Sequence, residues 1–397
     1  MVSRRVKQFA LLFLSVYALI LTFVIKLPHI IFITSFLWSI VISSIILSYY
    51  SLRKTKVSFQ LPSEMTQGEE GFITYTIGSS WVLLPGLTVY ADLPSPLVRI
   101  APASFSPNEW TGQERFFALR RGVYRISELS IGGLDFLGVF QLNKKVKVDG
   151  EIIVYPFYVR LSPLLFSGGT GEEGMGGSQL SRGGVEFAGV REWEQGEDIR
   201  DVHWRLTAKW RKFFVVLHSQ AGSKSQIIVI DCSPKGVFGS YVDNSFELAL
   251  KIACSLAWTT ISNGGELNLV YSNEEGKIIH SRHTEFATVQ EELTRLEAVS
   301  PLTLSSLLEQ FSLPKDFPLT ILTSLPDLSL LPFLEEQSGQ GNVPFVILID
   351  GASFGKSGWL ASQFVEAASR FAIVNVIGKG ENLKERLEKI WGMRYFI

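Results

Sequence analysis

The chain has 397 residues, room for two or three domains, and its 37 Lys and Arg nearly balance 38 Asp and Glu. That balance leaves no global field to favour nucleic acid or an acidic partner. The two cysteines, Cys232 and Cys254, sit in no CxxC or Cys/His cluster, so the pattern excludes a disulfide framework and a cysteine-rich zinc site and leaves two reduced core thiols.

Residues Phe9 to Ile25 carry no charge, and neither do Ile30 to Tyr50. A helix needs about 20 apolar residues to cross a bilayer, so the second stretch is long enough and the first is at the short limit. Pro28 interrupts the chain between them, as a tight helical hairpin requires. The basic start at Arg4, Arg5 and Lys7 would also suit a signal peptide, but no small-residue cleavage site follows. The reading is a two-helix transmembrane hairpin over residues 1–52. Arg4, Arg5 and Lys7 flank one side and Arg53, Lys54 and Lys56 the other, against a single Lys26 in the turn, which predicts that both ends and all that follows are cytoplasmic.

Residues 53–162 read as strands. Runs such as EGFITYTIGSS, LPGLTVYADLP and QERFFALRRGVYRISELSIGG alternate apolar and polar positions between Gly, Pro, Ser and Asn punctuation. Turns about every ten residues predict a small β-sandwich, Ig-like in kind. Arg120, Arg121 and Arg125 are expected on a solvated strand face rather than in a basic binding patch. Residues 163–184 follow as a linker or mobile loop, because Ser167 to Gly184 holds eight glycines and no GxxxxGK[ST] spacing.

Residues 185–225 contain the densest constellation, REWEQGEDIRDVHWRLTAKWRKFFVV. Ile199, Val202, His203, Leu206 and Trp210 recur at helical steps, and Asp198 is placed to cap that helix. Acids fall at its start and Lys209, Arg211 and Lys212 at its end, where the helix dipole favours them. KFFVVLH reads as a strand. Glu194, Asp198 and His203 suit acid–base chemistry in principle, but no nucleophile or HExxH spacing accompanies them. Arg beside Trp is the composition of interface hot spots, so the segment reads as a docking or domain-locking element.

From Gln226 to Ile397 strands alternate with helices, which predicts an α/β layer with a mainly parallel, Rossmann-like sheet. QIIVID, ELNLVYS, PLTILTS, PFVILID and FAIVNVIG are the expected strands. A helix is expected from a cap at Asp243 or Asn244, with others near 284–298, 302–311, 357–370 and 381–391. Asp231, Ser233, Thr323, Asp327 and Asp350 fall at the carboxyl ends of strands, where such sheets bind ligands.

The order FAGVREWEQGEDIRDVHWRLTAKWRKFFVV resembles the signature of the bacterial "domain of unknown function fifty-eight" family. The matching positions are Arg191, Trp193, Gly196, Asp198, Arg200, Trp204 and Ala208, with Trp193 where a tyrosine is common. RRGVYRI, DFLGVF and VYP look like the same family's leading β region, with Phe136 where a proline is usual, so the resemblance spans roughly residues 1–275. The last part, residues 226–397, looks like a von Willebrand factor A domain. That resemblance implies an Asp-x-Ser-x-Ser metal site with a Thr and an Asp from later loops; Asp231 and Ser233 match, Lys235 replaces the second Ser, and Asp327 is one candidate for a later partner. Mg2+ is the implied ion, and the Lys235 ammonium would either repel it or stand in for its charge. The family resemblance also implies a MoxR-type AAA+ ATPase as partner. The resulting expectation is a non-enzymatic, membrane-anchored scaffold or adaptor working in complex assembly or at the cell envelope. Arg191, Trp193, Gly196, Asp198, Arg200 and Trp204 would dock the partner or lock the domains. The competing readings are a metal-dependent hydrolase using Asp198 and His203, and an outward-facing adhesion module.

Overall fold

The computed structural model describes residues 13–14, 16–20, 22, 24, 28–78, 86–105, 111–161, 185–192, 214–220, 225–311, 317–340, 342–357 and 361–393. The chain divides into two compact units, Met1–Tyr155 and Pro156–Ile397.

In the first unit, helix α1 spans Pro28–Lys54, and its Ile31–Lys54 portion is long and apolar enough to cross a membrane. The other expected span falls largely outside the described residues. Those described there are helical, and Thr22 Oγ1 lies 3.1 Å from Thr34 Oγ1 on α1. Among the described residues nine strands follow: β1 Lys56–Gln60, β2 Glu64–Thr66, β3 Glu70–Gly78, β4 Thr88–Ala91, β5 Leu97–Ala101, β6 Ala103–Ser104, β7 Thr111–Ala118, β8 Gly122–Leu134 and β9 Gln141–Tyr155. They form a four-stranded sheet in the order β1-β3-β7-β5 and a five-stranded sheet in the order β2-β9-β8-β4-β6. Alternation along strands such as β3 and β7 turns one face inward. Ile73, Tyr75 and Phe116 of the first sheet and Val89, Ile126, Ile131 and Ile152 of the second meet in one core. Each such side chain, fully buried, is worth about 1.5–3 kcal/mol.

A polar clamp crosses that core. Glu114 on β7 is wholly buried and accepts from the Tyr75 hydroxyl on β3, from Arg99 on β5 and from the Ala91 amide on β4, the last at 2.8 Å. Arg99 also donates to the Ala91 carbonyl. Burial, then the bond to Glu114 and its charge, push the Tyr75 phenol well above its ordinary value.

The expected solvated arginine face is corrected at two positions. Arg120 and Arg121 are buried, and only Arg125 is exposed, 3.4 Å from Glu151. The reason is the corner between β7 and β8, where the Tyr124 hydroxyl reaches back to the Arg121 and Arg120 carbonyls at 2.9 and 3.0 Å and draws the segment inward.

The second unit begins with Tyr158, Val159 and Leu161, which pack into its core, and the Val159 amide donates to Ser255 at 3.0 Å. Strands β10 (Val185–Glu192) and β11 (Phe214–Gln220) form an antiparallel pair of their own. The main sheet contains β12 Gln226–Ile230, β13 Leu267–Ser272, β14 Ile278–His283, β15 Leu319–Thr323, β16 Phe345–Ile349 and β17 Ile373–Ile377, ordered β14-β13-β12-β15-β16-β17. All neighbours are parallel except β14, which runs antiparallel along the edge.

The described α-helices of the unit are α2 Ser245–Ser262, α3 Phe286–Arg295, α4 Leu304–Gln310, α5 Leu331–Gly339, α6 Ala361–Ala368 and α7 Leu383–Met393. Strands β12, β15 and β16 are buried along their whole length, as parallel strands covered on both faces must be. Ile228 and Ile230 join the core with α2 and α3, while Ile227 and Val229 join the opposite core with α4 and α5. Asn244 caps α2, its side chain accepting from the Glu247 amide at 2.9 Å, and Gly264 at φ +77° follows the helix end.

Candidate functional site

Strand β12 feeds β13 on one side, and the chain returns from α4 to β15 on the other side. The sheet therefore has a switch point between β12 and β15, the place where open α/β sheets bind ligands. Asp231 leaves the end of β12 there and Thr323 ends β15. The Thr323 hydroxyl donates to Asp231 Oδ2 at 2.8 Å, and the Ser233 amide donates to Oδ1 at 3.0 Å. Both oxygens of the carboxylate are thus oriented by groups fixed to the sheet.

A cavity of about 250 Å3 opens over this pair. Asp231, Ser233, Lys235, Thr303, Thr323 and Asp327 provide its polar lining, and Leu304, Leu325, Pro326 and Leu330 its apolar lining. The floor is held by hydrogen bonds that each use a backbone group. Asp231 N donates to the Leu322 carbonyl at 3.0 Å and Leu325 N to Thr323 Oγ1 at 3.0 Å. The Gly236 carbonyl accepts from Ser245 at 2.6 Å and also from Ser324, which ties the turn Pro234–Gly236 to α2 and to the end of β15. Asp327 Oδ1 accepts from the Ser329 amide at 2.9 Å. Lys235 is exposed at the same cavity.

Burial raises the Asp231 carboxyl above the usual carboxylate range. The Ser233 amide and Thr323 hydroxyl pull it back, and the neighbouring Asp327 charge pushes it up. A desolvated carboxylate beside a second acid and two hydroxyl oxygens is a hard-oxygen donor set of the kind that suits Mg2+. Among the described residues no cluster of three or more His, Cys, Asp or Glu is present, so a cation here would rely on hydroxyls alongside two carboxylates. The Lys235 ammonium would weaken such binding.

Of the strand-end residues, Asp231, Ser233, Thr323 and Asp327 line one cavity. Asp350 does not line it and instead accepts from the Ala352 amide at 2.9 Å. Thr303, on the loop before α4, carried no recognisable motif. Of the signature positions, Arg191 stands in β10 opposite Val215. Trp193, Gly196, Asp198, Arg200, His203, Trp204 and Ala208 lie outside the described residues, as does the expected linker at 163–184. Glu192 pairs with Phe214, so β10 and β11 bracket the intervening signature segment.

Residues 189–310 match a family model described as "Protein of unknown function DUF58". The matched range takes in Asp231, Ser233, Lys235 and Thr303 but stops before Thr323 and Asp327. The uncharacterized protein YeaD of Bacillus subtilis is 21% identical over 160 residues, which cover 40% of this chain and 38% of that relative. The similarity thus spans well under half of the relative's length. Among solved structures, a cohesin module from a Clostridium perfringens family 33 glycoside hydrolase is 7% identical, with a TM-score of 0.16, over 25% of this chain and 97% of that one. Domains 4 and 5 of the S-layer protein SbsC are 12% identical, with a TM-score of 0.17, over 25% of this chain and 46% of that one. What the comparisons contribute is a similarity to a family of unknown function over residues 189–310.

Proposed function

We propose that the chain is a non-enzymatic, membrane-anchored adaptor whose second unit captures a protein partner at the Asp231 site. The observation that carries this reading is the Asp231–Thr323 pair at the sheet's switch point. It presents a desolvated carboxylate to a cavity, with Asp327 and Lys235 beside it. A site of this kind suits recognition of a polar group on a partner.

The finer architecture belongs to the same proposal. Helix α1 and a preceding helix form a transmembrane hairpin, a reading favoured by the Thr22–Thr34 approach. The two sheets of the first unit form an Ig-like sandwich, favoured by their common core and by the Tyr124 hydroxyl bonding back to the corner before β8. The second unit is von Willebrand factor A-like, favoured by its strand order and its antiparallel edge strand. Both units are cytoplasmic, as the flanking Lys and Arg suggest.

Bound Mg2+ would supply an open coordination position to a partner's oxygen, with Asp231, Ser233, Thr323 and Asp327 as the residues to hold it. Thr323 and the Ser233 amide orient Asp231. Lys235 offers a positive charge to an acidic group of the partner. The partner is the MoxR-type AAA+ ATPase that the family resemblance implies, and Arg191, Trp193, Gly196, Asp198, Arg200 and Trp204 either extend the docking surface or lock the domains.

The test is capture by the full-length protein, solubilised from its native membrane, with and without Mg2+ and ATP, read by mass spectrometry. An AAA+ ATPase recovered with the wild type and lost with Asp231→Ala or Trp204→Ala, both still folded, supports the adaptor reading. Absence of an ATPase under every condition contradicts it.

A further inference from the structure

We infer that the turn from Leu134 to Phe140, between β8 and β9, is seated in the lipid bilayer beside α1, a second and shallower membrane contact of the first unit. This rests on the reading of α1 as a membrane span.

The helix does not end where the β structure begins. Ser44, Ser48, Ser51 and Leu52 recur at helical steps and are buried within the first unit. Ser44 Oγ donates to Asp135 Oδ2 at 2.8 Å, and the Phe136 amide donates to Ser48 Oγ at 3.3 Å. Further along, Lys144 on β9 donates to the carbonyls of Arg53 and Thr55 at 3.0 and 3.2 Å. The β8–β9 hairpin therefore lies along the last third of the helix, with its turn pointing back toward the apolar middle.

Depth follows from the helix rise. Arg53 and Lys54 are the first charged residues after the apolar run and mark the headgroup level. Ser44 precedes Arg53 by nine residues, which at 1.5 Å each is about 13 Å toward the bilayer centre. The headgroup region is only about 5–8 Å thick on each side. A turn bonded to Ser44 and Ser48 passes through it to the edge of the hydrocarbon.

The turn is built for that place. Asp135 is its one charged residue and is wholly buried, accepting from the Val139 and Phe140 amides at 2.6 and 2.7 Å as well as from Ser44. Asp135 N donates to the Phe140 carbonyl at 2.9 Å and Gly138 N to the Asp135 carbonyl at 2.8 Å. Internal satisfaction of backbone polar groups is what a lipid environment demands. Gly138, at φ +70°, lets the chain reverse without a polar tip. Leu137 stands at the tip, 43% exposed, where a water-facing turn would carry Asn, Asp or Ser. Ile46 and Leu47, exposed on the neighbouring helix face, continue the apolar surface. Beyond the turn Lys144 on β9 returns to the level of Arg53 and Lys54, where lipid phosphates lie, while Lys145 pairs with Glu128 at 2.9 Å.

The experiment places an environment-sensitive fluorophore on single introduced cysteines, Leu137→Cys, Ile42→Cys and Asp149→Cys, in the full chain reconstituted into phosphatidylcholine–phosphatidylglycerol vesicles. Cys232 and Cys254 are buried and leave the introduced thiol as the reactive one. Ile42, exposed on α1, reports the anchor, and Asp149, exposed further along β9, reports water. The expected result is quenching of the Leu137 probe by acyl-chain nitroxide lipid, several-fold above that of the Asp149 probe, with protection from aqueous iodide. If the Ile42 probe is quenched by lipid while the Leu137 probe behaves like Asp149, the inference fails and the anchor stands. If the Ile42 probe also escapes lipid quenching, the anchor reading fails and takes the inference with it.

Discussion

Thr323 and Asp231 are 92 residues apart in the chain and 2.8 Å apart in the sheet, the hydroxyl of one donating to the carboxylate of the other across the switch point between β12 and β15. That bond orients the one deeply buried acid at the cavity. Removing its donor with Thr323→Val leaves Asp231 with the Ser233 amide alone. The loss of a partner from a buried acceptor costs about 1–3 kcal/mol. Chemical denaturation is expected to show that loss, and an unchanged midpoint would mean that the pair does not constrain Asp231.

The pH dependence of Asp231 has a definite sign. Burial raises its folded value above the unfolded one, so the folded protein binds the proton more tightly. The contribution favours folding in acid, below the unfolded carboxylate range, and is lost as pH rises through the raised folded value. Asp231→Asn removes this term. The variant is expected to lose less stability than the wild type between mild acid and neutral pH, and to be at least as stable at neutral pH without divalent ions. A steeper fall in the variant would contradict the assignment.

Mg2+ makes a separable prediction. If Asp231, Ser233, Thr323 and Asp327 hold the ion, millimolar Mg2+ raises the Tm of the wild type and leaves Asp231→Asn unmoved. Lys235→Ser, which removes an ammonium from the same cavity, is expected to enlarge the Mg2+ response. Equal shifts in all three proteins would place the ion elsewhere.

In the first unit, Glu114 ties β3, β5 and β7 to β4 of the facing sheet. Glu114→Ala strands the partners of a buried charge and is expected to cost about 3–5 kcal/mol. Tyr75→Phe removes one donor only and should cost less. Because burial and Glu114 hold the Tyr75 phenol far above its ordinary range, its ionisation is expected only with alkaline unfolding, which absorbance at the tyrosinate band would follow.

Some of this structure was legible in the residues and some was not. QIIVI with Asp231 after it announced a buried parallel strand, and Asn244 before an apolar-periodic run announced α2. Those signals are local, so they survive reading one residue at a time. Strand β14 gives only a weak signal, because its burial is partial and its sequence, IIHSRH, is polar at four of six positions. The turn before it, with Gly276 at φ +73° joining it to β13, was the available hairpin signal. Helix α5 is too short for a clear helical period, and Pro332 in its first turn is its one local signal. Arg120 and Arg121 looked solvated because charge argues for exposure, and only the Tyr124 corner, a tertiary feature, turns them inward. In the candidate site, strand-end position identified Asp231, Ser233, Thr323 and Asp327 but could not tell them from Asp350. That distinction depends on strand order, which no single strand encodes.

The account is tested most directly by binding between the full-length protein in lipid nanodiscs and a purified MoxR-type AAA+ ATPase from the same organism, measured with wild type, Asp231→Asn and Thr323→Val. The adaptor reading predicts saturable, Mg2+-dependent binding to the wild type, weakened at least tenfold, or about 1.4 kcal/mol, by Asp231→Asn. Thr323→Val should weaken it less. Binding that is absent for the wild type, or equal for all three folded proteins, would contradict it.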